Sequence, residues 1–246
     1  RDDRNAGSSE PPAVWFAYPP DRQGKHPVQH LRPFRGILQA DAFSGYDRLF
    51  SAEREGGALT EVACWAHARR KIHDVYISSK STTAEEALKR ISELYAIENE
   101  IRGLPELERL AARQQRSKAL LTSLHEWMEE KNGTLSKKSR LGEAFSYVLN
   151  QWDALCYYSD DGLAEVDNNT AERALRAVCL GKKNYMFFGN DHGGDRGALL
   201  YGLIGSCRLN GIDPEAYLRH ILSVLPEWPS SRVDELLPWN VVLTNK

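Results

Sequence analysis

The spacing of apolar residues changes character near Ser81 and changes back after Tyr158, and that break constrains the fold more than any other feature of the chain. Between these points apolar residues recur at helical intervals. Ala87, Leu88, Ile91, Leu94 and Tyr95 share one face; Leu120, Leu121, Leu124, Trp127 and Met128 share another; Phe145, Val148, Leu149, Trp152, Leu155 and Cys156 share a third. Gly103 with Pro105, and the polar run from Lys131 to Gly142, separate them. The spacing predicts an all-helical insertion of about three long helices.

The sequence on either side follows a different grammar. AVWFAY, Ala13 to Tyr18, is an aromatic and β-branched run stopped by Pro19-Pro20, and it reads as a strand. Pro33 and Gly36 bracket the entry to GILQAD, where Ile37, Leu38 and Ala40 predict a buried strand with Asp41 at its carboxyl end. EVACWAH, Glu61 to His67, reads as a strand running into a helix near Ala66. Strand, crossover and strand together predict an α/β layer. After the insertion come a helix at Asn169, an aromatic run NYMFFG, a Gly-rich turn NDHGGDRG and a small-residue helix from about Ala198 to Leu209. Gly211 and Pro214 precede a last helix, Glu215 to Leu225, and DELLPWN forms an ordered tail because Leu236, Leu237 and Trp239 favour burial. The expected division is a core in two parts, 1–79 and 161–210, a helical insertion at 80–160, and a C-terminal helix and tail at 211–246.

A chain of 246 residues, 41% hydrophobic and 27% charged, can bury one large core or two small ones. With a net charge of −2 its global field is weak, so any contact with nucleic acid must come from local basic patches. Cys64, Cys156, Cys179 and Cys207 are widely spaced and form no Cys-x-x-Cys pair, which predicts reduced thiols in a cytoplasmic protein. No apolar run approaches the roughly 18 residues of a membrane span, and the opening RDDRNAGSSEPP is not a secretion signal. That charged opening, without an initiator Met, is expected to continue a longer polypeptide.

Two carboxylates stand out. Asp41 ends a predicted strand, where functional groups of α/β sheets gather, yet Asp41-Ala42-Phe43-Ser44-Gly45 also suits a turn in which the aspartate caps the backbone. Glu172 follows Asn169 by three residues, the spacing of a capping box, and the same helix start could present a metal ligand beside a cleft. Hard divalent ions need such oxygens together with water and phosphate. CWAHARRK holds Cys64 and His67, half of a zinc ligand set with nothing to complete it, so the two are read as support for the strand-to-helix junction. Arg69, Arg70 and Lys71 follow as either a phosphate-attracting cluster or a solvated helix face. Lys182, Lys183 and Asn184 precede the aromatic run in a pattern that is not a P-loop. Serine-hydrolase elbows and His-Glu-x-x-His zinc motifs are absent from the sequence.

In their order, ILQADAFSGYDRLF, CWAHARRK, the helical insertion, DNNTAERALR, GKKNYMFFGNDHGGDRGA, NGIDPEAYL and DELLPWN resemble the catalytic region of the insertion sequence sixty-six family of bacterial DDE transposases. The resemblance covers nearly the whole chain. It implies an RNase H-like mixed sheet whose first strand or strands lie upstream, interrupted by the helical insertion, and a chemistry that needs Mg²⁺ or Mn²⁺. On matching positions, Asp41 corresponds to the second catalytic carboxylate and Glu172 to the third, both as metal ligands. Cys64, His67 and Asn169 correspond to supporting positions, and Arg173 and Arg176 join Arg69, Arg70, Lys71, Lys182, Lys183 and Asn184 as candidate DNA contacts. The family's first aspartate lies on a strand upstream of Arg1, and Asp2 and Asp3 do not match it.

The activity implied is cleavage of a phosphodiester at an element end by activated water, followed by attack of the freed 3′-hydroxyl on target DNA. The partners implied are double-stranded DNA, at element ends and target, and a second copy of the chain. The setting implied is the nucleoid of a bacterial cytoplasm. Two other readings stay open at this point: a non-catalytic remnant that binds DNA or a partner, and a metal-dependent nuclease of the same fold.

Overall fold

The computed structural model describes residues 10–41 and 43–243. Asp2, Asp3 and Ala42 lie outside the described residues. The chain forms two compact units, one of residues 23–169 and one of residues 10–22 with 170–243. No helix among the described residues is long and apolar enough to cross a membrane.

The first unit opens with a short helix α1 (Lys25–His30) and continues through β1 (Ile37–Gln39), α2 (Asp47–Phe50) and β2 (Thr60–Val62). The two strands pair in parallel, Ile37 opposite Thr60 and Gln39 opposite Val62. Their crossover is fixed at both ends, because Leu49 is buried and Arg54 donates to the carbonyls of Leu31, Phe34 and Gly57. Past Val62 the backbone turns to new partners: Ala63 N donates to Ala154 O and Trp65 N to Val166 O. Cys64 remains extended and precedes α3 (Trp65–Ser79).

The helical body follows: α4 (Thr82–Glu100), α5 (Glu106–Ala112), α6 (Lys118–Thr134), α7 (Arg140–Asn150) and α8 (Trp152–Cys156). Ser81 starts α4 by accepting the Ala84 N–H, and Ser139 starts α7 by accepting that of Gly142. Gly103, with a φ of 80°, and Pro105 make the break before α5. The three predicted apolar faces meet. Ile91 and Leu94, Leu121, Leu124 and Met128, and Phe145 and Val148 are all buried in one core with Trp65, Ala68 and Ile72 of α3. Trp65 is fully buried, and its indole N–H donates to Leu155 O at 2.8 Å.

Between α5 and α6 the helix widens into a π turn, Arg113–Ser117, which turns Arg113 inward. Arg113 is 0% exposed. Its Nε and Nη2 donate to the two oxygens of Glu98 at 2.8 and 2.6 Å, and its Nη1 donates to the carbonyls of Tyr158, Asp161 and Ala164. Arg109 donates beside it to Glu165 at 2.9 Å. These bonds hold the irregular segment that leaves α8, and Gln39 holds it from the other side, accepting the Glu165 N–H and donating to the Glu165 carbonyl.

The second unit contains α9 (Asn169–Tyr185, whose first residue belongs to the first unit), α10 (Asp191–Leu209) and α11 (Pro214–Val224). Asp213 caps α11 through the N–H groups of Glu215 and Ala216, with Pro214 in the first turn. Of the tail residues expected to favour burial, Leu236 is buried while Leu237 and Trp239 are half-buried; Tyr217 is buried and its hydroxyl donates to Leu236 O.

Several expectations are corrected. The described residues are mostly helical with a sheet of one parallel pair, which is consistent with the expected α/β class; β1, however, is half-buried where a buried strand was expected. Among the described residues AVWFAY forms no strand. It lies along the small-residue face of α10, where Val14 N donates to Ser206 Oγ and Asn210 Nδ2 to Pro12 O. A Cβ at Gly194 would collide with the Tyr18 ring and one at Gly205 with Val14, so the glycines admit this segment. NDHGGDRG is therefore no turn: from Asp191 onward it is the start of α10, capped by Asn190, which accepts the Gly193 N–H. In NYMFFG, Asn184 and Tyr185 finish α9, and the residues after them leave the helix at Met186, whose φ is 61°.

The Arg113 cluster generates a prediction. Arg113→Ala removes both hydrogen bonds to buried Glu98 and leaves it only Arg109 Nη2 at 3.8 Å, and is expected to destabilise the chain by about 3–5 kcal/mol. Arg113→Lys is expected to recover only part of the loss, because an ammonium lacks the planar fork that spans both Glu98 oxygens. Urea unfolding checks both, and a loss under about 1 kcal/mol for the alanine variant would refute the assignment.

Candidate functional site

Asp41 stands two residues beyond β1, exposed, ahead of a short 3₁₀ turn at Ser44–Tyr46. Among the described residues its carboxylate takes no hydrogen bond and no ion pair, so the turn-capping alternative finds no bond here. Tyr46 lies close by: burial raises its hydroxyl pKa first, and the negative charge of Asp41 adds to the rise. On β2 the partly buried Glu61 is likewise raised by burial and then by the charge of Asp47.

Glu172 lies in the first turn of α9. Asn169 is already helical, so Asn169 and Glu172 are not the cap and third residues of a capping box. The helix start is held instead by a residue that sequence reasoning passed over. Asp167 accepts the Asn169 N–H at 3.0 Å and the Asn169 side-chain amide at 2.7 Å. The hydroxyl of Tyr95, on α4, donates to the same carboxylate at 3.1 Å. Asn168 N donates to the sulfur of Cys64 at 3.5 Å.

Those contacts explain the chemistry of the junction. Burial first, and then the charge of Asp167, pushes the Tyr95 hydroxyl pKa well up, while the Arg69 cation pulls the other way. The Cys64 thiol is raised chiefly by burial and is opposed by the N–H groups around it. His67 occupies the first turn of α3, its backbone N–H on Cys64 O. The only hint of Asp167 and Tyr95 in the sequence was their identity as a polar residue before a helix and a tyrosine on an apolar face.

The candidate phosphate contacts fall in two sets. On α3, Arg69 and Arg70 are exposed, and Lys71 lies over the Tyr147 ring, Nζ 4.3 Å from its centre. On α9, Arg173, Arg176, Lys182, Lys183 and Asn184 are all exposed, and Arg173 donates to the Thr170 hydroxyl. Intervals of four and seven residues place Glu172, Arg176 and Lys183 on one face of that helix. No residue of α9 is buried.

Among the described residues, no group of three or more His, Cys, Asp and Glu side chains is placed to hold a metal ion. Asp41 and Glu172 belong to different units, and each offers the hard oxygen donors that suit Mg²⁺.

Residues 1–196 match the family described as Transposase IS66 family, and residues 202–239 match the IS66 C-terminal element. Three uncharacterized proteins of Sinorhizobium fredii are similar. The chain is 40% identical to y4hP over 97% of its own length and 45% of the relative's. It is 37% identical to y4qI over 98% and 45%, and 36% identical to y4jD over 97% and 48%. The chain spans about half the length of the curated relatives it matches. No solved structure matches it. With two adjoining family matches running from its first residue to residue 239, this chain belongs to the IS66 family of transposases.

Proposed function

We propose that this chain is the catalytic region of a DDE-type transposase that cleaves DNA at the ends of an insertion sequence and joins them to a target. The observation that carries the reading is the exposed Asp41 carboxylate, free of hydrogen bonds among the described residues, at the carboxyl end of a parallel strand pair in a chain of this family. The core is proposed to be RNase H-like, in two parts at 1–79 and 161–210 around a helical insertion at 80–160, with a C-terminal helix and tail at 211–246.

In this reading Asp41 and Glu172 are the carboxylates that would hold Mg²⁺ or Mn²⁺. Such an ion, when bound, supplies charge stabilisation at the phosphorus centre. The two carboxylates would form part of a ligand set for the ion. Arg69, Arg70, Arg173, Arg176, Lys182, Lys183 and Asn184 hold phosphates of double-stranded DNA, and Lys71 contributes charge from its place over Tyr147. Two copies act on paired element ends, in the bacterial cytoplasm at the nucleoid.

Asp41→Asn and Glu172→Gln, each made in the full-length protein, are expected to lower Mg²⁺-dependent strand transfer of labelled element ends by about 100-fold or more while thermal unfolding is unchanged. Full activity with a melting point several degrees lower in Glu172→Gln would return that residue to a purely structural role. Joined products separate transposition from simple nuclease cutting.

A second expectation concerns the basic face of α9. Lys182→Ala with Lys183→Ala should reduce the slope of log affinity against log salt by about 1 for each phosphate no longer neutralised, for any DNA sequence tested. A slope identical to that of the parent protein would remove these lysines from the interface.

A further inference from the structure

The backbone runs from Asp161 to Asn168 without a helix or strand, yet it is bonded at nearly every step. Arg113 holds the carbonyls of Asp161 and Ala164, Arg109 and Gln39 hold Glu165, and Trp65 N holds Val166 O. The last two residues before α9 receive the same treatment from α4 and from the residue ahead of α3: Tyr95 donates to Asp167, and Cys64 accepts from Asn168.

An aspartate that bonds the first N–H of a helix is an ordinary helix start. The Tyr95 hydroxyl is not needed for that. It comes from a residue 72 positions earlier, and it reaches the same Asp167 oxygen that the Asn169 amide donates to. With both of its oxygens engaged, the Asp167 carboxylate is locked between α4 and the first residue of α9. Glu172 is three residues further along the same helix, less than one turn. Its carboxylate therefore inherits whatever precision the helix start has.

We infer that Tyr95 and Asp167 are positioning residues for Glu172, and that the helical insertion uses α4 to fix the first turn of the helix that carries this carboxylate. The inference rests on the reading of Glu172 as a metal ligand. A metal or substrate group placed about 1 Å wrongly costs on the order of 100-fold in rate. A clamp on the helix start is thus a functional requirement of that reading, beyond its contribution to folding.

The test uses the full-length protein and three variants, Tyr95→Phe, Asp167→Ala and Glu172→Gln. Amide hydrogen exchange is followed over the start of α9 and over α4, α7 and α11, and strand transfer is measured as a function of Mg²⁺ concentration. Tyr95→Phe keeps the ring and removes the hydroxyl. It is expected to speed exchange at the start of α9 about tenfold, leave α7 and α11 unchanged, and raise the Mg²⁺ needed for half-maximal transfer by about tenfold. Asp167→Ala should show the larger change in both. Exchange that rises equally in α4, α7 and α9 would make Tyr95 a packing residue and overturn the inference, as would parental exchange and metal dependence in Tyr95→Phe alongside an inactive Glu172→Gln. A fully active Glu172→Gln would instead overturn the ligand reading on which the inference stands, and the exchange result would still report whether the clamp exists.

Discussion

The ion pair of Arg113 with Glu98, buried inside the helical body, is the contact on which the larger unit depends. Moving both charges out of water costs several kcal/mol each, and the pair is stable only because its remaining donors are also used. Arginine suits the place. Its planar fork meets both Glu98 oxygens, and its third nitrogen serves the carbonyls of Tyr158, in a short 3₁₀ turn, and of Asp161 and Ala164 in the irregular segment that follows. Buried carbonyls of an irregular segment have no strand or helix to satisfy them, so the side chain supplies the donors. The π turn is the local cost of aiming Arg113 inward from a helix that otherwise presents Gln114 and Arg116 to the surface.

With that segment fixed, the small sheet becomes intelligible. Two strands of three residues bury little by themselves, and a two-stranded sheet is marginal without packing against something else. Just beyond β2 the chain gains a neighbour that is not a strand: Ala63 N donates to Ala154 O, and Trp65 N, at the start of α3, donates to Val166 O. Gln39 extends the same logic from β1, its side-chain amide imitating a peptide group against Glu165. The helical body and the strand pair consequently share one core, running from Val62 through Trp65 to Val148.

How much of this was legible in the sequence follows from the range of each interaction. The apolar faces of α4, α6 and α7 were, because helical spacing is local and hydrophobic burial needs no particular partner. Asp41 at a strand end was legible for the same reason. Arg113 was not: among the many charges of the chain nothing distinguishes it, and its partners lie 15 to 51 residues away. Tyr95 was legible as a member of an apolar face and illegible as a donor to Asp167. AVWFAY misled because its composition favours extended backbone without saying what pairs with it. The partner is a helix whose glycines and Ser206 accept the segment, and NDHGGDRG, read as a turn for its glycines, begins that helix.

The two candidate carboxylates are supported in opposite ways, and this asymmetry bears on what each can do. Asp41 sits on a short excursion just past β1, exposed and without a bonded neighbour among the described residues. Freedom of that kind suits a group whose partner is an ion or a phosphate still to arrive, because no internal bond must first be broken. Glu172 belongs to a helix with no buried residue. The residues that lead into that helix are held by polar contacts: the Asp167 carboxylate lies between Tyr95 and Asn169, and the segment before it is held by the Arg113 cluster. Polar contacts are directional where apolar ones are not, so they fix the orientation of the residues that lead into the helix as well as their burial.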